Sequence, residues 1–167
     1  LKRTMAPISD AAWQEIEAEA TRVLRGNLSA RKIVDFDGPS GWETAAVNLG
    51  GISVGSAKFV DGVDWGTRSV LPLVESRAAF ALSIWDLDNV NRGGKTPNLD
   101  SVATAARKMA MFEEKAVYQG FKAAGIVGIC EGGNKPVTLP KTAGKMAEAV
   151  ESAVVTLQTA GVGGPYT

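Results

Sequence analysis

The sequence predicts an α+β fold, and three observations carry that reading. Apolar residues recur at helical spacing in three separate stretches, near the start, the middle and the end of the chain. Extended, glycine-rich runs lie between them. Asp61-Gly62 sits between two such runs, the signature of a tight hairpin.

Taken in order, residues 1–8 form a short arm. Ser9 is a good helix N-cap, Asp10 puts negative charge in the first turn, and Ile8 can staple onto Trp13. Trp13, Ile16, Ala20, Val23 and Leu24 then make one apolar stripe, with Glu15, Glu17, Glu19, Arg22 and Arg25 largely off it, and Gly26-Asn27 ends or weakens the helix. KIVDF (32–36) reads as a strand and DGPSG (37–41) as a turn. The hairpin of residues 51–70 has apolar content too dispersed for a core of its own. A two-stranded ribbon is at best marginally stable alone, so it is expected to lie on another surface, with a second subunit the natural candidate.

From Ser69 to Leu87 the chain reads as a long extended stretch broken at Pro72. Asp100 is expected to cap a helix that buries Val102, Ala106, Met109, Ala116 and Val117 and closes at Gly125. GIVGI (125–129) reads as a short strand and GGNKPVTLP (132–140) as a loop. A last helix over 143–160 turns Met146, Val150, Val154 and Leu157 inward and stops at Gly161, ahead of GVGGPYT, which looks like the lead-in to another strand.

Composition removes several classes of function. The 167 residues suit one domain, and 45% apolar with 22% charged residues is ordinary for a globular protein. Lysine plus arginine equals aspartate plus glutamate, 18 each, so no basic excess marks a nucleic-acid binder. There is no histidine, which removes Ser–His and Cys–His nucleophile pairs and imidazole metal sites. Cys130 is the single cysteine, read as a small buried or half-buried thiol. No apolar run reaches the roughly 18–20 residues of a membrane span. LKRTMAPISDAAW does not read as a signal peptide, and a cytoplasmic location is expected.

The stretch IWDLDNVNRGG (84–94) concentrates oxygen side chains behind an aromatic, yet fails as a calcium loop. Counted from Asp86, position five is Val90, position six Asn91 and position twelve Pro97, where the pattern wants a ligand, glycine and glutamate. It reads instead as a strand end and a polar turn. GGNKP and GVGGP match neither a P-loop nor a dinucleotide fingerprint. Arg77 and Trp85, eight residues apart on an expected strand, would share a face. A cation and an indole there could hold a planar anionic ligand, while an Arg paired with a carboxylate beside a packed Trp is the commoner arrangement.

Several stretches together, LKRTMAPISDAAWQEIE, ARKIVDFDGPSGWETAA, WGTRSVLPLVESRAAFALSIWDLDNVNRGG and GVGGPYT, closely resemble the family 1 (linocin-like) encapsulins. These are bacterial and archaeal shell proteins that share a fold with tailed-phage major capsid proteins. The resemblance implies a phage-capsid-like organisation. An N-terminal arm and helix would occupy 1–30, a peripheral-domain strand 31–50 and an extended-loop hairpin 51–70. The peripheral domain with its spine helix would follow over 71–125, and an incomplete axial domain over 126–167. Encapsulin chains are longer, so the remainder is expected on a second chain, from a split or nicked protein. The implied function is a structural, non-enzymatic subunit of an icosahedral nanocompartment that encloses peroxidase or ferritin-like cargo, recruited by a C-terminal targeting peptide. No nucleic acid, membrane or metal is implied as a partner, and no cofactor is required. The resemblance places cargo-peptide contacts at Leu24, Leu28, Arg31, Ile33 and Asp35, and a flavin (FMN or FAD) contact at Trp85 with Arg77. The three apolar residues of the first set suit ordinary helix packing equally well. The rival readings are a flavin-binding redox protein using Trp85 and Arg77, and a peptide-binding module that does not assemble.

Overall fold

A computed structural model of the chain describes residues 3–56, 58–133 and 137–166; residues 134–136 of the expected GGNKPVTLP loop and the terminal Thr167 lie outside them. The chain divides into two units, Leu1–Ile129 and Cys130–Thr167.

The first unit begins with a 3-10 turn, Arg3–Met5, and helix α1, Asp10–Asn27. Ser9 caps α1 as the sequence predicts: its backbone is extended and its Oγ accepts the Ala12 N–H at 3.2 Å. The arm is pinned to the helix it precedes. Arg3 pairs with Glu17 at 2.8 Å, and its guanidinium sits 4.8 Å from the centre of the Trp13 ring.

The strand expected at 32–36 does not form. Ala30–Lys32 is a 3-10 turn, and Ile33 and Phe36 are exposed. The first N–H groups of this run are taken locally: that of Lys32 goes to the Ser29 carbonyl, and those of Ile33 and Val34 go to the Ala30 carbonyl. Just before it, the Ala30 N–H goes to Glu114.

The hairpin is present but shifted outward. β1, Ala46–Val54, pairs antiparallel with β2, Gly66–Pro72, in register Ala46↔Pro72 through Val54↔Gly66. An irregularity interrupts the ladder between Asn48 and Ile52. There Gly50 takes φ +75°, and the Asn48 side chain accepts the Gly50 N–H at 2.8 Å. Asp61-Gly62 forms the turn of the connecting loop, with Gly62 at φ +79° and the Val63 N–H on the Val60 carbonyl. The expected long strand to Leu87 stops at Pro72, and Ile84–Asn91 is helix α2, whose Leu87 is buried.

Helix α3 runs Asp100–Gln119. Asp100 is its first residue and not its cap; Leu99 holds the cap position, and the Asn98 side chain before it accepts the Asp100 N–H at 3.1 Å. The helix closes at Gly120, φ +81°, and Gly125 instead closes the following 3-10 turn. GIVGI forms no strand; it contributes one bridge, Phe121↔Ile126, and part of a further 3-10 turn.

The core lies where α1 packs on α3. Ala12, Ile16, Leu87 and Val102 make one buried cluster, edged by Ile8, Trp13, Ala20, Leu82 and Leu99. Val23, Ala103 and Ala106 make a second, with Leu24 against it. The small side chains on α3 let the two helices approach closely.

In the second unit a 3-10 turn, Ala143–Lys145, leads into α4, Met146–Thr159. Its end is a Schellman motif: the Val162 N–H reaches the Leu157 carbonyl, and the Gly161 N–H reaches that of Gln158 with Gly161 at φ +80°. The face expected to turn inward is uncovered, with Met146, Val150 and Leu157 exposed and Val154 half-buried. The unit has no second helix or sheet among its described residues to lie against it. Cys130 is likewise exposed, not buried as expected.

Candidate peptide groove

An apolar groove of about 520 Å³ opens between α1, the irregular segment 74–80 and α3. Ala20 and Leu24 of α1 form one wall and Val74, Ala78 and Phe80 the other. The floor is the α3 stripe Val102, Ala105, Ala106, Met109, Phe112 and Ala116. The segment between β2 and α2 is anchored over α3 by the Ser101 hydroxyl, which donates to the Ala81 carbonyl at 2.7 Å.

Arg31 and Glu113 are the charged residues in the lining, and they face each other. Arg31 donates from Nε to Oε1 at 2.5 Å and from Nη2 to Oε2 at 2.7 Å, a two-pronged bond that raises the guanidinium pKa further. The same guanidinium stacks 4.4 Å from the centre of the Phe36 ring. The neighbouring Glu114 accepts from the Ser29 hydroxyl and from the Ala30 N–H, with Tyr118 Oη 3.0 Å from Ser29 Oγ. These bonds, the Ser29 hydroxyl foremost, hold the Glu114 carboxyl below its usual pKa. Two adjacent carboxylates on α3 therefore fix the chain that leaves α1.

Of the five residues matched to a peptide site, Leu24 and Arg31 line this groove. Leu28 is buried, and Ile33 and Asp35 are exposed outside its lining. The sequence missed Phe80, Phe112 and Glu113. Phe112 could have been found, because it continues the α3 stripe three residues after Met109.

Trp85 and Arg77 do not share a strand face. Trp85 stands 75% exposed on the first turn of α2, and Arg77 lies in the irregular segment with its Nε donating to Glu75 at 2.6 Å. The shared strand face that suggested a planar anionic ligand is thus absent. Asp86, Asn89, Arg92 and Lys95 edge a separate polar hollow of about 380 Å³. Among the described residues no group of three or more carboxylates, thiols or imidazoles could hold a metal ion, and no helix is long and apolar enough to cross a membrane.

Residues 1–167 match the protein family described as encapsulating protein for peroxidase. The chain is 40% identical over 168 residues to the type 1 encapsulin shell protein of Rhodococcus erythropolis and 38% identical to that of Mycobacterium tuberculosis; each match covers all of this chain and 63% of the relative. It is 39% identical over 175 residues to the type 1 encapsulin shell protein of Rhodospirillum rubrum, covering 99% of this chain and 61% of that protein. The chain thus spans a little over three-fifths of the length of these relatives.

Proposed function

The chain belongs to the encapsulin shell-protein family, and from that premise we propose that it is a structural subunit of a self-assembling shell, not an enzyme. The match along the whole chain to proteins named as shell proteins carries this reading. The β1–β2 ribbon supports it. Leu49, Ile52 and Val54 are more than half exposed, a costly state for a free ribbon and a natural one for an arm that lies on a neighbouring copy. No cofactor is needed for such a role. The shell would be an icosahedral bacterial nanocompartment in the cytoplasm.

Native mass spectrometry of the full-length protein tests this. A particle of many tens of subunits is expected, and deleting the ribbon tip, residues 58–63, should leave small oligomers. A full-length protein that stays monomeric at micromolar concentration sinks the reading.

Within that shell, the groove between α1 and α3 would take the apolar tail peptide of a cargo enzyme, as the family description's mention of a peroxidase suggests. Its apolar floor suits two or three aliphatic side chains of an extended segment. Met109→Glu places a charge on that floor. Assembled particles carrying it should lose a tail-tagged cargo protein that the unsubstituted shell retains, as read by co-sedimentation.

A further inference from the structure

We propose that Glu113 selects which peptides the groove accepts: by occupying Arg31, it makes the rim favour uncharged segments and turn away those with an acidic side chain at that end. The inference rests on the groove being a peptide site.

Among the described residues that line the groove, Arg31 is the cation and Glu113 the anion. The side-on edge of the guanidinium, Nε and Nη2, is spent on Glu113 at 2.5 and 2.7 Å, and the carboxylate matches its charge. Neither partner is sealed from a ligand, the side chains being 41% and 33% exposed. An arriving carboxylate therefore meets a cation already matched by a carboxylate tethered to α3, and must be ordered to gain a weakened attraction. Glu113 also repels it. An uncharged apolar segment meets neither obstacle and leaves the pair intact.

The test uses the full-length protein and two fluorescein-labelled, amidated decapeptides. They are identical in a leucine–isoleucine core and differ only in serine or aspartate beside it. Fluorescence anisotropy gives the ratio of the two Kd values. The unsubstituted protein should favour the serine peptide. E113Q removes the charge that matches Arg31, and the ratio should move toward the aspartate peptide by about threefold to tenfold, an effect screened by added salt. R31Q leaves Glu113 uncompensated and should move the ratio the opposite way, which keeps the test open if E113Q does not fold. If the serine peptide binds but the ratio stays fixed in either variant, the selection role is overturned while the groove stands. If the unsubstituted protein binds neither peptide, the groove reading falls and the selection role with it.

Discussion

The carboxylate of Glu114 on α3 accepts the peptide N–H of Ala30 at 2.8 Å, across 84 residues of sequence. With Glu113 on Arg31 next to it, this bond converts the chain after α1 from a loose connection into a fixed wall beside the groove. Ala30 is fully buried at this junction, so its N–H has no access to water and depends on that acceptor.

Glu114→Gln should therefore lower stability in a pH-dependent way. The Ser29 hydroxyl and then the Ala30 N–H depress the folded-state pKa below the ordinary 4.5. A depressed carboxylate contributes stability above its unfolded pKa and loses it as pH falls through the folded value. Gln keeps one acceptor oxygen but loses the charge and turns the second acceptor into an N–H donor, much as protonation of the carboxyl does. The Tm of the variant should lie below that of the unsubstituted protein at neutral pH, and the gap should close as pH falls below about 4.5. Thermal melts across that range check it, and a gap independent of pH would refute the assignment.

Ser9→Ala removes the oxygen that accepts the Ala12 N–H at the head of α1. The expected loss is about 1 kcal/mol, and Ser9→Asp should largely keep the cap and add a favourable charge at the positive end of the helix. Urea denaturation midpoints of the two variants order them. Equal midpoints would mean that the arm, held by Arg3 on Glu17, fixes the helix start without the cap.

The parts of this fold that the sequence discloses are those specified locally. The Ser9 cap, the Ile16–Val23 stripe, the Asp61-Gly62 turn and the Gly161 stop each depend on residues within a few positions of one another. Residues 32–36 form no strand because the N–H groups of Lys32, Ile33 and Val34 turn back onto Ser29 and Ala30, beside residues held by α3 carboxylates some 80 positions further along. At 84–91 the helix is only eight residues long and buries Leu87, too little to set a helical period against the preceding extended run. An extended reading of this run puts Trp85 and Arg77 on one face, which the helix abolishes. Of the groove's lining, the family resemblance points to Leu24 and Arg31, whereas Phe80 reaches it through an irregular segment that no periodicity announces.

Val102→Ala tests the joint between α1, α2 and α3. Val102 is 2% exposed and shares its cluster with Ala12, Ile16 and Leu87. Removing two methyl groups from that site should cost about 2 kcal/mol, part transfer and part cavity. Val117→Ala, on the half-buried edge of the groove, should cost less than half as much. Denaturant midpoints separate them, and a larger loss at Val117 would show that the groove is packed more tightly than the core.

Gly128 and Gly26 should respond to alanine with opposite signs. A Cβ at Gly128 would lie 2.2 Å from the Gly120 nitrogen, 2.4 Å from the Gln119 carbonyl carbon and 2.6 Å from the Tyr118 oxygen. These are backbone atoms at the end of α3, so relief requires moving the chain and not merely turning a side chain. Gly128→Ala should cost about 1–3 kcal/mol, the penalty of forcing atoms into a filled space. At Gly26 a Cβ meets nothing within 4 Å, and the residue sits inside the last turn of α1. Gly26→Ala should stabilise by about 0.5–1 kcal/mol, because alanine has less backbone freedom to lose on entering a helix. Denaturation midpoints for the two variants read the signs directly. A Gly128→Ala protein as stable as the unsubstituted one would mean that residue 128 does not hold the end of α3 as closely as 2.2 Å requires.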